Sequence, residues 1–153
     1  MPYDPNAPTI RELILENIES TLTAMGPPNF KNRFTKVVRY FGNTIEFPSY
    51  PAVSIVPGAT TTTDQRLALL EHRMPVSLIL MVRSQDWRHD LETLIADVRV
   101  AILADWTRGG VALTTRGTTE EIIDSEPSSP LGAAHIELEV LYRTLYEDPG
   151  SAI

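Results

Sequence analysis

MPVSLILMVRSQDWRHDLETLIADVRVAIL, residues Met74 to Leu103, is the stretch whose reading decides the fold. Val76, Leu78, Leu80 and Val82 alternate along Met74–Arg83, while Ser77, Ile79 and Met81 occupy the other face. A strand apolar on one side and largely apolar on the other belongs in the middle of a sheet. Ser84-Gln85-Asp86 supplies turn chemistry, with Asp86 placed as a helix cap. Trp87, Leu91, Leu94, Ile95, Val98, Ala101 and Ile102 follow at helical spacing and share one face. A smaller strip, Ala96, Val100 and Leu103, lies roughly opposite. Two readings of it are open. The helix is buried on two sides within its own domain, or the strip is a contact between subunits.

Outward from this unit, residues 1–8 hold three prolines and no periodicity, an irregular lead. Thr9-Ile10-Arg11-Glu12 has the form of a capping box, in which Thr9 and Glu12 each satisfy the other's amide. The spacing of Ile10, Leu13, Ile14, Ile18, Leu22 and Met25 predicts a helix to about Ala24, with Glu12, Glu16 and Glu19 on its far side. Gly26-Pro27-Pro28 cannot continue it. Phe34–Phe41 and Ala52–Val56 read as strands, separated by a turn at Gly42-Asn43-Thr44. Gly58 to Arg66, with Thr60, Thr61, Thr62, Thr63 and Asp64, reads as a polar loop, although Leu67, Leu69 and Leu70 follow it directly.

Beyond the central helix, Val111–Arg116 is a strand that Thr118–Ser125 continues past Gly117. Glu126-Pro127-Ser128-Ser129-Pro130 is a loop, and Gly132–Tyr146 is the last strand. Residues 147–153, with Asp148-Pro149-Gly150-Ser151, read as a frayed tail. The expectation is one α+β domain over residues 9–146, in the order α-β-β-β-α-β-β. It has a mostly antiparallel sheet of about five strands with two helices on one face.

With 153 residues the chain suits one domain with a real core. No run of 18 apolar residues spans a membrane, and Met1-Pro2-Tyr3-Asp4-Pro5 lacks the basic and apolar segments of a secretory leader. The absence of cysteine excludes disulfides, thiolate chemistry and cysteine-ligated metals, and fits synthesis in a cytosol. A net charge of −7 disfavours a generic duplex-DNA binder, whose affinity comes from neutralising phosphates. Such a protein can instead surround a polyanion without sticking to it.

No constellation of catalytic residues stands out. His72, His89 and His135 fall in separate elements, and His89 between Asp86 and Asp90 does not match a known metal-ligand spacing. There is no nucleophile elbow, and Gly109-Gly110 follows a helix rather than preceding one, so no helix N-terminus there receives a phosphate. Glu120-Glu121 and the pair Glu137 and Glu139 sit in polar contexts that would leave them untuned for acid–base work. Lys31, Arg33, Lys36 and Arg39 alternate with Phe30, Phe34, Tyr40 and Phe41. That pattern suits single-stranded nucleic acid or an acidic partner, and equally an ordinary strand with a basic face.

Four pieces together suggest a family. They are the opening helix Thr9-Ile10-Arg11-Glu12-Leu13-Ile14, the segment Pro51-Ala52-Val53-Ser54-Ile55-Val56-Pro57-Gly58 before a variable loop, the strand Pro75–Arg83 leading into the helix Asp90–Leu103, and the ending Val140-Leu141-Tyr142-Arg143 with Asp148-Pro149. In this order, over nearly its full length, the chain resembles the tail terminator proteins of long-tailed bacteriophages. The resemblance implies a structural virion protein, without catalytic residues, metal or cofactor. It implies a homo-oligomer, a hexameric ring on the last ring of the tail tube protein. The ring stops tail polymerisation and offers a surface to a neck or head-completion protein. DNA would pass its bore without specific binding, and no membrane is involved. By position, the expected subunit or tube contacts are Gly58, Thr60, Thr61, Thr62, Thr63, Asp64 and Arg66, with Ala96, Val100 and Leu103. The expected acidic residues of the lumen are Glu12, Glu16, Glu19, Glu137 and Glu139. Another head–tail connector, a small ligand-binding or enzymatic domain, and a nucleic-acid-binding module are the competing readings.

Overall fold

A computed structural model describes residues 3–39, 47–123 and 130–153. The chain is α+β. Among the described residues, helices α1 (Ile10–Ala24) and α2 (Trp87–Ala104) accompany one sheet of seven strands: β1 (Lys36–Arg39), β2 (Ala52–Pro57), β3 (Thr61–Gln65), β4 (Leu69–Arg83), β5 (Thr114–Ile123), β6 (Leu131–Leu145) and β7 (Asp148–Ala152). The order across the sheet is β1-β2-β4-β6-β5, with β3 added to β4 and β7 to β6. Only β1 and β2 run parallel; the other pairs are antiparallel.

The expected central strand is central, hydrogen-bonded to β2 on one side and β6 on the other. Val76, Leu78, Leu80 and Val82 face the helices and are buried. They meet Ala134, Ile136, Leu138 and Val140 of β6 and all seven residues expected on the main face of α2. The opposite face of the sheet has its own small apolar cluster, where Met81, Ala52 and Phe47 are buried beside Ile79 and Tyr50. Glycine matters at Gly132, where an added Cβ would lie 2.5 Å from the Trp87 ring. The start of α2 lies directly on β6 there.

Several boundaries differ from the sequence expectation. The sheet has seven strands rather than about five, because both segments read as irregular are paired. The threonine run forms β3, matched from Thr61 opposite Arg73 to Gln65 opposite Leu69. β-Branched residues favour extended backbone, and the first half of β4 provides the template. Residues 148–152, expected to fray, pair with the end of β6. β4 begins at Leu69, five residues before the expected start. The two pieces around Gly117 are one strand, with a register shift between Gly117 and Thr119. The expected first strand is shorter, Lys36–Arg39; Tyr40, Phe41 and the turn at Gly42-Asn43-Thr44 lie outside the described residues. So do Ser125 and most of the Glu126–Pro130 loop.

The caps differ in detail too. Thr9 accepts a hydrogen bond from the Glu12 amide at 3.1 Å, but the Glu12 carboxylate turns away to Arg39. Asp86 occupies the cap position of α2 without a side-chain cap bond. Ser84 does the local work: its hydroxyl accepts from the Asp86 amide at 3.1 Å and donates to Asp90 at 2.6 Å.

Candidate assembly surface

β4 and β6 are 15 residues each. At ~3.3 Å per residue such a ladder spans about 50 Å, whereas 18 residues of helix span about 27 Å. α2 starts over Gly132 and its end, at Leu103, borders Leu138. The remaining part of the ladder projects past it as an arm, with β3 and β7 along its sides. The molecule therefore has a helix-covered body and a β-arm.

On the body, the minor strip of α2 is open. Val100 is 61% exposed, Leu103 is at the margin of exposure, and Ala96 is exposed on the same side. Trp106, just past the helix, is exposed as well. Of the two readings of this strip, burial within the subunit is removed. The strip is apolar surface on a helix whose other face is fully packed.

The Gly58–Arg66 segment lies on the arm. Gly58 donates its N–H to the Pro75 carbonyl at 2.7 Å and accepts from Arg11 at 3.3 Å. Thr60 accepts from Arg11 and is hydrogen-bonded to Tyr142. Thr61, Thr62, Thr63 and Asp64 are exposed along β3, and Arg66 is exposed at the turn after it. Thr62 bonds one ring nitrogen of His72 at 2.9 Å, and Thr144 bonds the other at 2.9 Å. The imidazole stacks on Tyr142, with ring centres 4.6 Å apart. Burial lowers the His72 pKa below the usual histidine value and raises that of Tyr142. A recess of about 350 Å³ opens between Arg11, His72 and Tyr142. Both ring nitrogens of His72 are already engaged by threonines of the chain itself.

The two acidic rows stand on opposite sides of the sheet. Glu12 and Glu19 bracket the guanidinium of Arg39 at 2.7 and 2.8 Å, and Glu16 lies exposed between them. The Glu12 hydrogen bond, followed by the charges of the row, holds Arg39 above its ordinary pKa. The expected basic patch is thereby divided. Arg39 faces α1, whereas Lys36, paired with Ala52, points to the other face of the sheet. Glu137 and Glu139 lie on the face without helices. Glu139 meets Arg116 at 2.7 Å and Arg73 at 3.3 Å, while Glu71 pairs with Arg143 at 2.9 Å. The Glu137 carboxylate accepts from the Thr119 hydroxyl at 3.4 Å, and the Thr118 hydroxyl donates to the Glu137 carbonyl at 3.1 Å.

Two features have no counterpart in the sequence reading. Arg108 is fully buried with its backbone in the left-handed region, φ 50°. It donates to the carbonyls of Ile102 and Asp105, closing the end of α2, and burial lowers its pKa. Asp105 receives the Gly109 amide at 2.9 Å and Asn17 at 3.1 Å, and these bonds hold its carboxylate below the usual range. The second feature is the arm tip. Leu67 is 91% exposed, and both Leu67 and Ala68 adopt positive φ, 66° and 60°. The apolar residue after the threonine run was the only signal in the sequence that this turn is more than solvated loop.

Among the described residues no three histidine, aspartate or glutamate side chains gather as a metal site, and no helix is long and apolar enough to cross a membrane. No family model matches the chain, and a search of the curated proteins finds no match.

Proposed function

We propose that this chain is a structural virion protein that caps a phage tail tube as a ring, ends tail polymerisation and offers the attachment surface for the neck or head. The single observation that carries this reading is the open apolar strip of α2. An α-helix in a lone subunit exposes polar residues on its outer face. Here Val100 and Leu103, with Ala96, share one exposed side of the helix, with Trp106 exposed just past its end, and a neighbouring copy would cover them. The sequence resemblance to tail terminators supplies the rest of the reading, in which the protein acts by shape and surface rather than by catalysis. It would be assembled in the host cytoplasm and retained in the virion.

The acidic rows suggest how such a ring is oriented. Side chains on opposite sides of one sheet point in opposite directions, so a central bore takes one row. On the face without helices, Glu137 and Glu139 are set against Arg73 and Arg116. On α1, three carboxylates face the single guanidinium of Arg39 and leave net negative charge. A bore that passes DNA without holding it needs a surface that repels phosphate, and the α1 row meets that need.

The test is an infection with a phage lacking this protein, followed by electron microscopy of the tails. Overlong tails without heads are expected. Tails of normal length would overturn the terminator role, and normal tails that merely lack heads would assign the chain to head–tail joining.

A further inference from the structure

We infer that the tip of the β-arm of one copy seats on the α2 strip of the next, with Leu67 as the knob. This rests on the ring reading and names the part of the neighbour that fills the strip.

Three observations converge on the tip. Leu67 and Ala68 hold left-handed backbone in succession, where hairpins ordinarily use Asn or Gly. Such a conformation disfavours residues with a Cβ, so the turn holds a leucine outward against its own backbone preference. Leu67 is the most exposed large apolar side chain among the described residues. Tyr146, at the turn between β6 and β7, adds a second exposed apolar group, and its N–H donates to the Ala68 carbonyl at 2.8 Å, joining the two turns into one tip.

The charges match as well as the apolar groups. Arg66 and Glu147 flank the tip, one on each turn, both exposed. On α2, Glu92 precedes Ala96 and Val100 along the same line at steps of four residues, and Arg99, beside the strip, is already paired with Glu120 of its own chain at 3.4 Å. Neither Arg66 nor Glu92 has an ion-pair partner among the described residues. The base of the tip, Arg66, is thus matched to the acid of the strip, Glu92. A chain cannot make this contact with itself. Its own strip ends beside Leu138, seven residues of β6 before Leu145, roughly 20 Å from the tip at strand rise. Tip and strip are different surfaces, so the contact is head-to-tail, the kind that generates rings when its rotation closes.

The chain has no cysteine, which makes the test clean. Full-length Leu67→Cys and Val100→Cys chains are mixed, oxidised with diamide and resolved without reductant. A parallel mixture pairs Leu67→Cys with Ser20→Cys, an exposed position on α1. The contact predicts at least ten-fold more mixed dimer from the first mixture, and a ladder of multimers from the doubly substituted Leu67→Cys/Val100→Cys chain. Equal yields from the two mixtures overturn it. Charge exchange gives an independent readout. Arg66→Glu and Glu92→Arg should each weaken association about ten-fold, and the double exchange should restore it; no restoration counts against the pairing. Closed rings without the cross-link would overturn this contact and leave the ring reading standing. Chains that stay monomeric without it would overturn both.

Discussion

The body and the arm are built from the same two strands, and they follow different rules. In the body, β4 and β6 present an unbroken apolar face to α1 and α2. In the arm, the same strands carry Leu70, Glu71, His72 and Arg73 opposite Thr144, Arg143, Tyr142 and Leu141. There the cohesion is polar, from the Glu71–Arg143 pair, the His72 ring held between two threonines and the Arg11 bonds to Thr60 and Gly58. The body is held by burial and resists substitution. The arm is held by ladder bonds and exchangeable polar contacts, and at its tip Leu67 and Tyr146 are exposed. The body makes the subunit, and the arm is free to serve an assembly.

The comparison is broken most forcefully in the body. Leu78→Ala removes a fully buried side chain where β4 meets the helices, and should cost about 2–5 kcal/mol of unfolding free energy in urea titration. A cost below about 1 kcal/mol would mean the core is not where we place it. Gly132→Ala should cost about 1–3 kcal/mol, because the new methyl meets the Trp87 ring and either the ring or the strand must shift. The arm should respond in the opposite sense. Replacing Leu67-Ala68 by Asn-Gly relieves two left-handed residues and should stabilise the isolated chain by about 1 kcal/mol, some 3 °C in Tm, while weakening association. A loss of stability instead would show that Leu67 packs within the subunit.

Acidification sharpens the same contrast. Burial lowers the His72 pKa in the folded arm below its ordinary value of 6.5, so the unfolded chain takes up the proton first. His72 therefore leaves stability untouched above about pH 6.5 and subtracts from it as pH falls from there toward its folded pKa. Folding free energy measured between pH 7 and 5 should decline in the native chain and decline less in His72→Gln. An identical slope in the two would remove His72 as the cause. Asp105 acts lower, because its folded pKa lies below 3.8, and its contribution is kept above that value and lost as pH falls through the depressed one.

How much of this could be read in the sequence follows the same division. Each residue expected on the main face of α2 is buried there, from Trp87 to Ile102, because a period of 3.6 in apolar residues is a local signal. The alternation of Val76 to Val82 placed β4 at the centre for the same reason. The arm has no such signal. Leu69 to Arg73 mixes apolar and polar residues on both faces, Thr61 to Asp64 has no apolar residue, and Asp148-Pro149-Gly150 has the composition of a turn. These segments are strands because each is held by its pairing partners, β3 on the start of β4, β7 on the end of β6, and the start of β4 also on the end of β6. The Arg39 site was hidden similarly. A residue of the basic stretch and an acidic row on the far side of a helix, read separately, meet across 20 and 27 positions of chain when Glu19 and Glu12 close on one guanidinium. The strip on α2 was visible as a pattern, but only its exposure decides that it is not buried against the described residues of its own subunit.

The smallest expected effect on the subunit is the most informative. Val100→Glu places a charge on a side chain that is 61% exposed, so unfolding free energy should change by less than about 0.5 kcal/mol. Native mass spectrometry of the unmodified chain and of Val100→Glu, across a range of concentrations, tests the central claim most directly. The account predicts a closed ring of six copies for the unmodified chain, and a monomer of unchanged stability for the variant. A monomer at every concentration for both, or a variant that unfolds instead of dissociating, would contradict it.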